Sequence, residues 1–420
     1  MSVMRAFVLT GHGGLDKLEY REDVPKPRAG AGEVLIKVAA CGLNNTDINT
    51  RTAWYSKGVR QGTTAAAAVD GFADAGDDDG GWGGRIGFPR IQGADVCGVA
   101  EACGDGVAPA VRARLIGRRV MVDPWLRDDD DPGNLDAARF FGSEVDGGFA
   151  EYAVAPARNV YPIDSDCTDA ELATFGCAYT TAANLLRRSA LADGECVVVS
   201  GASGGVGSAA IQLAKLRGAR VIALSGDDKA DALRELGADR VLARDGANLR
   251  EAIAELAPNN NGDNNDSRRI FSDRQGAQRV REGAYENTQP SKRGGATPHS
   301  GKKTSEGGAD VVLDVVGGAL FPRLIDCLRR GGRYAASGAI AGAMVALDLR
   351  TLYLNDLQIL GATVVPPEVF PRLLREIEAK RLRPLLARAF PLRELAAAQR
   401  MFIDKKHVGN IVVTMRDDAI

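Results

Sequence analysis

The chain has 420 residues, with 53 basic and 55 acidic side chains and a formal net charge of −2. That near balance leaves no global field to hold a nucleic acid or an anionic membrane, and no apolar run reaches the ~20 residues of a membrane-crossing helix. The length admits two domains of ordinary size, and seven scattered cysteines without CxxC pairs read as the thiols of a cytoplasmic protein.

In chain order, the residues before about 165 read as short strands separated by glycine and proline: Arg5–Leu9, Val34–Ala40, Val96–Ala100, Arg119–Val122 and Phe149–Val154. At Glu195 the pattern changes. Strand Glu195–Ser200 runs into a glycine cluster that opens helix Val206–Arg217, and Gly218 stops that helix. Gly204 and Gly207 hold the second and third glycine positions of a GxGxxG turn, Ala202 holds the first, and Gly205 adds freedom. Such glycines let backbone N–H groups approach a pyrophosphate closely, while the helix presents its positive end to the anion.

Strand Arg220–Ser225, helix Lys229–Leu236 and strand Arg240–Ala243 follow, and then Ala309–Val316, a nearly continuous apolar run of the kind a strand covered on both faces requires. Helix Leu320–Arg330, Gly331-Gly332 and strand Arg333–Ala336 complete an alternation that predicts an α/β fold with a doubly wound parallel sheet. The last part reads as strand Gln358–Val365, helices Glu368–Lys380 and Leu392–Lys405, and strand Asn410–Met415.

The simplest arrangement inserts a cofactor domain, residues 165–347, into a mainly β domain built from residues 1–164 and 348–420, with a cleft where the parallel strands end. Segments 63–84, 127–136 and 258–308 read as surface insertions. The last is too polar to offset its ordering entropy, and the expectation for it is a disordered spacer.

Seven stretches, GEVLIKVAACGLNNTDIN from Gly32, FPRIQGADVCGVAEACG from Phe88, DGGFAEYAVAP from Asp146, FGCAYTTAANLL from Phe175, SGASGGVGSAAIQLAK from Ser200, DVVLDVVGG from Asp310 and HVGNIVVT from His407, resemble the medium-chain dehydrogenase/reductase superfamily, in particular its zinc-independent quinone and enoyl reductase branches. The resemblance covers nearly the whole chain outside the three insertions. It implies a Rossmann nicotinamide-nucleotide domain inserted in a GroES-like β domain, and commonly a homodimer, with Met344–Leu347 or Gln358–Val365 as the pairing edge.

The zinc-using members hold their metal with a Cys, a His and a later Cys; the matching positions here are Asn44, Ala94 and Cys177. An amide and a methyl group cannot replace two of three ligands, so no metal is expected. Developing negative charge then has to be met by hydrogen-bond donors. By resemblance Asn44 lies beside the nicotinamide, Asp47 orients its neighbours, and Tyr55 is the proton donor.

For the nucleotide, the strand ends at Ser225-Gly226 where NAD enzymes place an acid, which leaves room for a 2′-phosphate held by Lys229 and Arg244, and NADPH is the expected cofactor. Ser203 and Val206 complete the phosphate turn. The resemblance adds Thr180 near the nicotinamide, Gly317 at its ribose, and Ser337, Gly338 and Asn410 as late contacts. His12 and His407 are read as loop hydrogen-bonding residues. Trp54, Tyr55, Trp125 and the neighbourhood of Tyr353 are read as shaping the substrate pocket, with Trp82 away from it.

The leading reading is an NADPH-dependent reductase of a quinone or of an enone or enoyl double bond. The alternatives are metal-free alcohol/aldehyde redox, and a nucleotide-binding protein with little catalysis.

Overall fold

Every second residue of the apolar strands points to the same face of a sheet, and this chain uses both faces. In the computed structural model, which describes residues 2–72, 80–128, 131, 134–256 and 307–416, six strands pair in the order Arg240–Ala243, Arg220–Ser225, Cys196–Val199, Ala309–Asp314, Leu328–Ala336, Gln358–Gly361, every pair parallel. Val197, Val199, Val221, Ala223, Val311 and Leu313 meet helices Gly176–Arg188, Gly205–Leu216 and Val369–Glu378. Val198, Ile222, Leu224 and Val312 meet Leu249, Ile253, Phe321 and Leu324 on the opposite side. The result is the expected Rossmann sheet.

The β domain is a seven-stranded sheet in which Leu386–Pro391 and Asn410–Thr414, from the C-terminal part, join Glu33–Gly42, Asp95–Cys103, Arg119–Val122 and Val160–Pro162, with Tyr152–Pro156 pairing on Glu33–Gly42. Its core, around Val34, Ile36, Leu115, Phe141, Phe149 and Ile411, is separate from that of the parallel sheet.

Several sequence expectations shift. Strand Gln358–Gly361 completes the parallel sheet, so the nucleotide domain does not stop at 347; the chain returns to the β domain at Leu386–Pro391. The helix expected to reach Arg330 ends at Asp326, because Leu328–Ala336 is already strand; Gly331, at φ 71°, lies in the irregular stretch between the Ala309↔Leu328 and Val311↔Arg333 pairs. The strand expected at Phe149–Val154 forms at Tyr152–Pro156, since Phe149 N–H bonds Gln92 O instead. The spacer 258–308 lies outside the described residues except for Gly307 and Gly308.

Candidate active site

All the nucleotide-binding residues expected on the parallel sheet stand at the carboxyl ends of its strands. Ser203, Gly204, Gly205, Val206 and Gly207 follow the central strand, Ser225 and Gly226 the next, Arg244 the outer one, and Gly317, Ser337 and Gly338 the two strands on the other side. Gly204 is exposed, and its N–H bonds back to Gly201 O at 3.1 Å, which folds the turn before the helix begins. Gly409 N–H bonds Ser203 O at 3.0 Å and so brings Asn410 against the turn; a Cβ on Gly205 would come 2.8 Å from Asn410 Nδ2.

Among the described residues, the buried Ser225 Oγ and Asn410 Oδ1, at a strand end and beside the glycine turn, have no hydrogen-bond partner. Unpaired buried polar atoms at a glycine-lined strand end fit a polar ligand such as a dinucleotide. Gly317, at φ 64°, is fixed by Asp314, whose buried carboxylate accepts from the N–H groups of Val316 (2.8 Å) and Gly317 (3.1 Å), from Tyr334 Oη (2.5 Å) and from Ser200 Oγ. Asp314 was missed by sequence reasoning, although it is one of two acids, with Asp310, inside the apolar run Ala309–Val316.

Lys229 is buried, at 4% exposure, and its ammonium donates to Lys405 O at 2.5 Å. Burial first and Arg244 second push its pKa down, while Asp228 opposes them. The Arg244 guanidinium lies over Gly226, 3.2 Å from where a Cβ would stand.

The catalytic candidates Asn44, Asp47 and Tyr55 lie on and beside the helix that follows strand Glu33–Gly42. Helix Asn45–Arg51 starts where Asn44 N–H donates to the Asp47 carboxylate at 2.7 Å, which satisfies an orphan helix-end donor. Asn44 Nδ2 donates at 2.9 Å to Asp95 Oδ2, and Asp95 Oδ1 accepts from Cys177 N–H at 2.6 Å. Asp47 and Asp95 are both buried, and burial pushes both carboxyls up from the usual range. Asp95 stands out as the residue that orients Asn44; sequence reasoning saw it only as a neighbour of Ala94.

Tyr55, half-buried, donates its phenol to Thr46 Oγ1 at 3.2 Å and is pushed up to about 12, mainly by burial and secondarily by the nearby Cys177 and Asp47. Thr180 sits one turn beyond Cys177 with its hydroxyl bonded to Gly176 O at 2.9 Å.

Ala94 and Cys177 border an aromatic cluster in which Trp82 meets Trp125 edge-on at 5.1 Å, so Trp82 packs beside two of the positions that match metal ligands. Tyr353 is exposed on helix Leu349–Leu354. His12 Nδ1 lies 2.9 Å from Thr50 O as expected, whereas His407 packs on Phe402 with its Nδ1 unpartnered.

The family model described as alcohol dehydrogenase GroES-like domain matches residues 30–165, and the one described as zinc-binding dehydrogenase matches 205–379. A structure from Sinorhizobium meliloti 1021, provisionally described as an alcohol dehydrogenase, is 40% identical and covers 99% of this chain and 97% of its own, with a TM-score of 0.76. The chain belongs to the medium-chain dehydrogenase/reductase superfamily.

Among other members, rat (Rattus norvegicus) quinone oxidoreductase is 30% identical over 61% of this chain and 63% of its own length, so the chain spans less than two thirds of that relative. An NAD-dependent alcohol dehydrogenase of Sulfurisphaera tokodaii is 25% identical over 98% of this chain and 99% of its own.

Zinc, which one family description names, does not fit here. Asn44 and Ala94 offer an amide and a methyl group, which leaves Cys177 alone of the three matching positions with a good metal ligand. Among the described residues, no three His, Cys, Asp or Glu side chains are grouped to hold a metal ion.

Proposed function

We propose that this protein is a zinc-independent, NADPH-dependent oxidoreductase that delivers hydride to a quinone or to an activated double bond. The observation that carries the reading is the carboxamide of Asn44, locked by a buried carboxylate, at a position where the zinc-using members hold a metal ligand. The reduced nicotinamide supplies the hydride when bound.

This chain's residues do the rest. The glycine turn, Ser225, Gly317 and Asn410 hold the dinucleotide, and Lys229 with Arg244 favour the 2′-phosphate. As hydride reaches the β-carbon of an enone, electrons move onto the carbonyl oxygen, and the free face of the Asn44 amide offers that oxyanion a fixed donor. The Tyr55 phenol, protonated at neutral pH because burial holds it at about 12, gives its proton to the α-carbon and is reprotonated from water. The seven cysteines are all free, consistent with a cytoplasmic protein, and the exposed Met344, Val345 and Ile359 suit an interface between two copies.

The names of the alcohol dehydrogenase relatives favour a second reading, metal-free carbonyl or alcohol redox. Both readings meet one experiment: oxidation of NADPH and of NADH is followed with an enone, a quinone and an aldehyde, with and without a chelator. The expected result is NADPH consumption with enone or quinone, saturated ketone as the enone product, and no effect of the chelator. Allylic alcohol as product selects the second reading, and activity that chelation abolishes and zinc restores overturns both.

A further inference from the structure

Thr63, where the sequence reads a surface insertion to begin, is tied to both domains. Its N–H donates at 2.9 Å to Ile340 O, in the loop that follows strand Leu328–Ala336 of the parallel sheet. Beside it, a Cβ on Gly62 would stand 2.6 Å from Ile340 O and from the carbonyl carbon of Ala341, so a side chain there would push the two segments apart. The same loop supports the Gly317-Gly318 turn, since Ala341 N–H donates to Val316 O at 2.8 Å and Gly318 N–H to Gly342 O at 3.0 Å.

On its other side, the segment Gln61–Thr63 meets the helix that starts beside Asn44. Ala53, at φ 57°, turns the chain back after helix Asn45–Arg51, which brings the Tyr55 phenol to Thr46 in the first turn. Trp54 N–H donates to Asn49 O at 2.8 Å, and its indole Nε1 donates to Gln61 O at 3.1 Å. Thr63 Oγ1 reaches Asn49 Oδ1 in a long hydrogen bond of 3.5 Å. Asn49 is in turn the second hydrogen-bonding neighbour of the Tyr55 phenol: burial raises the phenol, and Thr46 and then Asn49 oppose that rise by favouring the ionised oxygen. A neutral amide favours a phenolate only by donating to it. With Oδ1 turned to Thr63, Nδ2 is the end that Asn49 offers.

We propose that Asn49 is a positioning residue for the Tyr55 phenol, oriented by Thr63 and so by the contact of Gln61–Thr63 with the nucleotide domain. The proposal rests on the reading of Tyr55 as the proton donor. When the Tyr55 O–H bond breaks and its proton joins the α-carbon of an enone, negative charge stays on the phenol oxygen until water reprotonates it. Asn49 Nδ2 is a donor already aimed at that oxygen, and its orientation costs nothing at the moment of transfer because Thr63 holds it.

The test is steady-state reduction of an enone by NADPH in light and heavy water, with nucleotide affinity followed by fluorescence titration. The chains compared are wild type, Asn49→Ala, Tyr55→Phe, the double variant, Thr63→Val and Thr63→Ser. Expected in N49A are a kcat about tenfold lower, nucleotide affinity within about twofold of wild type, and a larger solvent isotope effect because proton transfer limits the rate more. Adding N49A to Y55F should cost nothing further, since the residue acts through the phenol. T63V should lose about threefold in kcat, and T63S, which keeps the hydroxyl, should match wild type. An N49A chain that turns over like wild type, or that slows Y55F by the factor it slows wild type, overturns the proposal, and a T63V chain as fast as wild type overturns the part that runs through Thr63. Failure of wild type to reduce the enone, or a Y55F chain that matches it, instead removes the reading beneath the proposal.

Discussion

Asp95 can only accept hydrogen bonds when ionised, and it already takes one from Cys177 N–H and one from Asn44 Nδ2. That pairing decides which way the Asn44 amide faces. In Asp95→Asn the new Nδ2 opposes Asn44 Nδ2, donor against donor, and Asn44 has to turn over and present its oxygen where a donor was. The expected outcome is a fall in kcat of roughly 10- to 100-fold with the KM for the nucleotide nearly unchanged, measured by steady-state kinetics. Tyr55→Phe tests the other partner: its phenol donates to Thr46 at 3.2 Å, with the Asn49 side chain as a second hydrogen-bonding neighbour, from a half-exposed position, so melting temperature should change little while kcat falls about 100-fold. Unchanged turnover in the Phe variant takes Tyr55 out of the chemistry. Asn44 and Tyr55 were legible in the sequence because each lies in or just beyond one continuous stretch, Gly32 to Asn49. Asp95 was not, because its meaning is a contact across 51 positions of chain.

At the scale of elements, the glycine turn contains two kinds of glycine, and they predict two kinds of failure. A Cβ on Gly207 would sit 2.3 Å from Gly201 O and 2.6 Å from Ala202 Cα, so the helix could not pack so closely on the turn. A Cβ on Gly204, at φ −78°, meets nothing nearer than Gly201 O at 3.5 Å, and only an incoming phosphate would feel it. Gly207→Ala should therefore lower stability by about 2 kcal/mol or more and weaken nucleotide binding with it, whereas Gly204→Ala should weaken binding and leave the melting curve in place. Denaturation and binding titrations of the two variants separate these outcomes. The strands of the parallel sheet were legible because burial on both faces demands an unbroken apolar run. Strand Leu18–Pro25 escaped notice since its side chains are mostly exposed and polar, and Leu328–Gly332 did because two adjacent glycines read as a stop when here they lie within a strand. Helix Gly176–Arg188 shows in the sequence only as the stretch FGCAYTTAANLL, although it covers one face of the sheet and carries both Cys177 and Thr180.

At the scale of the whole molecule, the parallel sheet ends on a strand paired along one side only. Gln358–Gly361 bonds the strand Leu328–Ala336, and among the described residues no strand pairs with its other edge. Open edges of this kind invite a second strand unless charge or cover prevents it. Here the flank is apolar instead: Ile359 lies on the strand, Leu349, Tyr353 and Leu354 are exposed on a helix with no buried residue, and Met344 is 67% exposed. A twofold axis beside the strand would run the two edges antiparallel, join the sheets into one, and cover the same side chains from both copies. The expected species is a homodimer. Replacing Ile359 with Lys puts two like charges at that seam and should raise the dimer dissociation constant at least about tenfold, with the far-ultraviolet dichroism of the folded chain retained. Sedimentation of wild type and variant over a concentration series measures it, and a wild-type chain that sediments as a monomer throughout that series leaves the apolar edge without the partner argued for it.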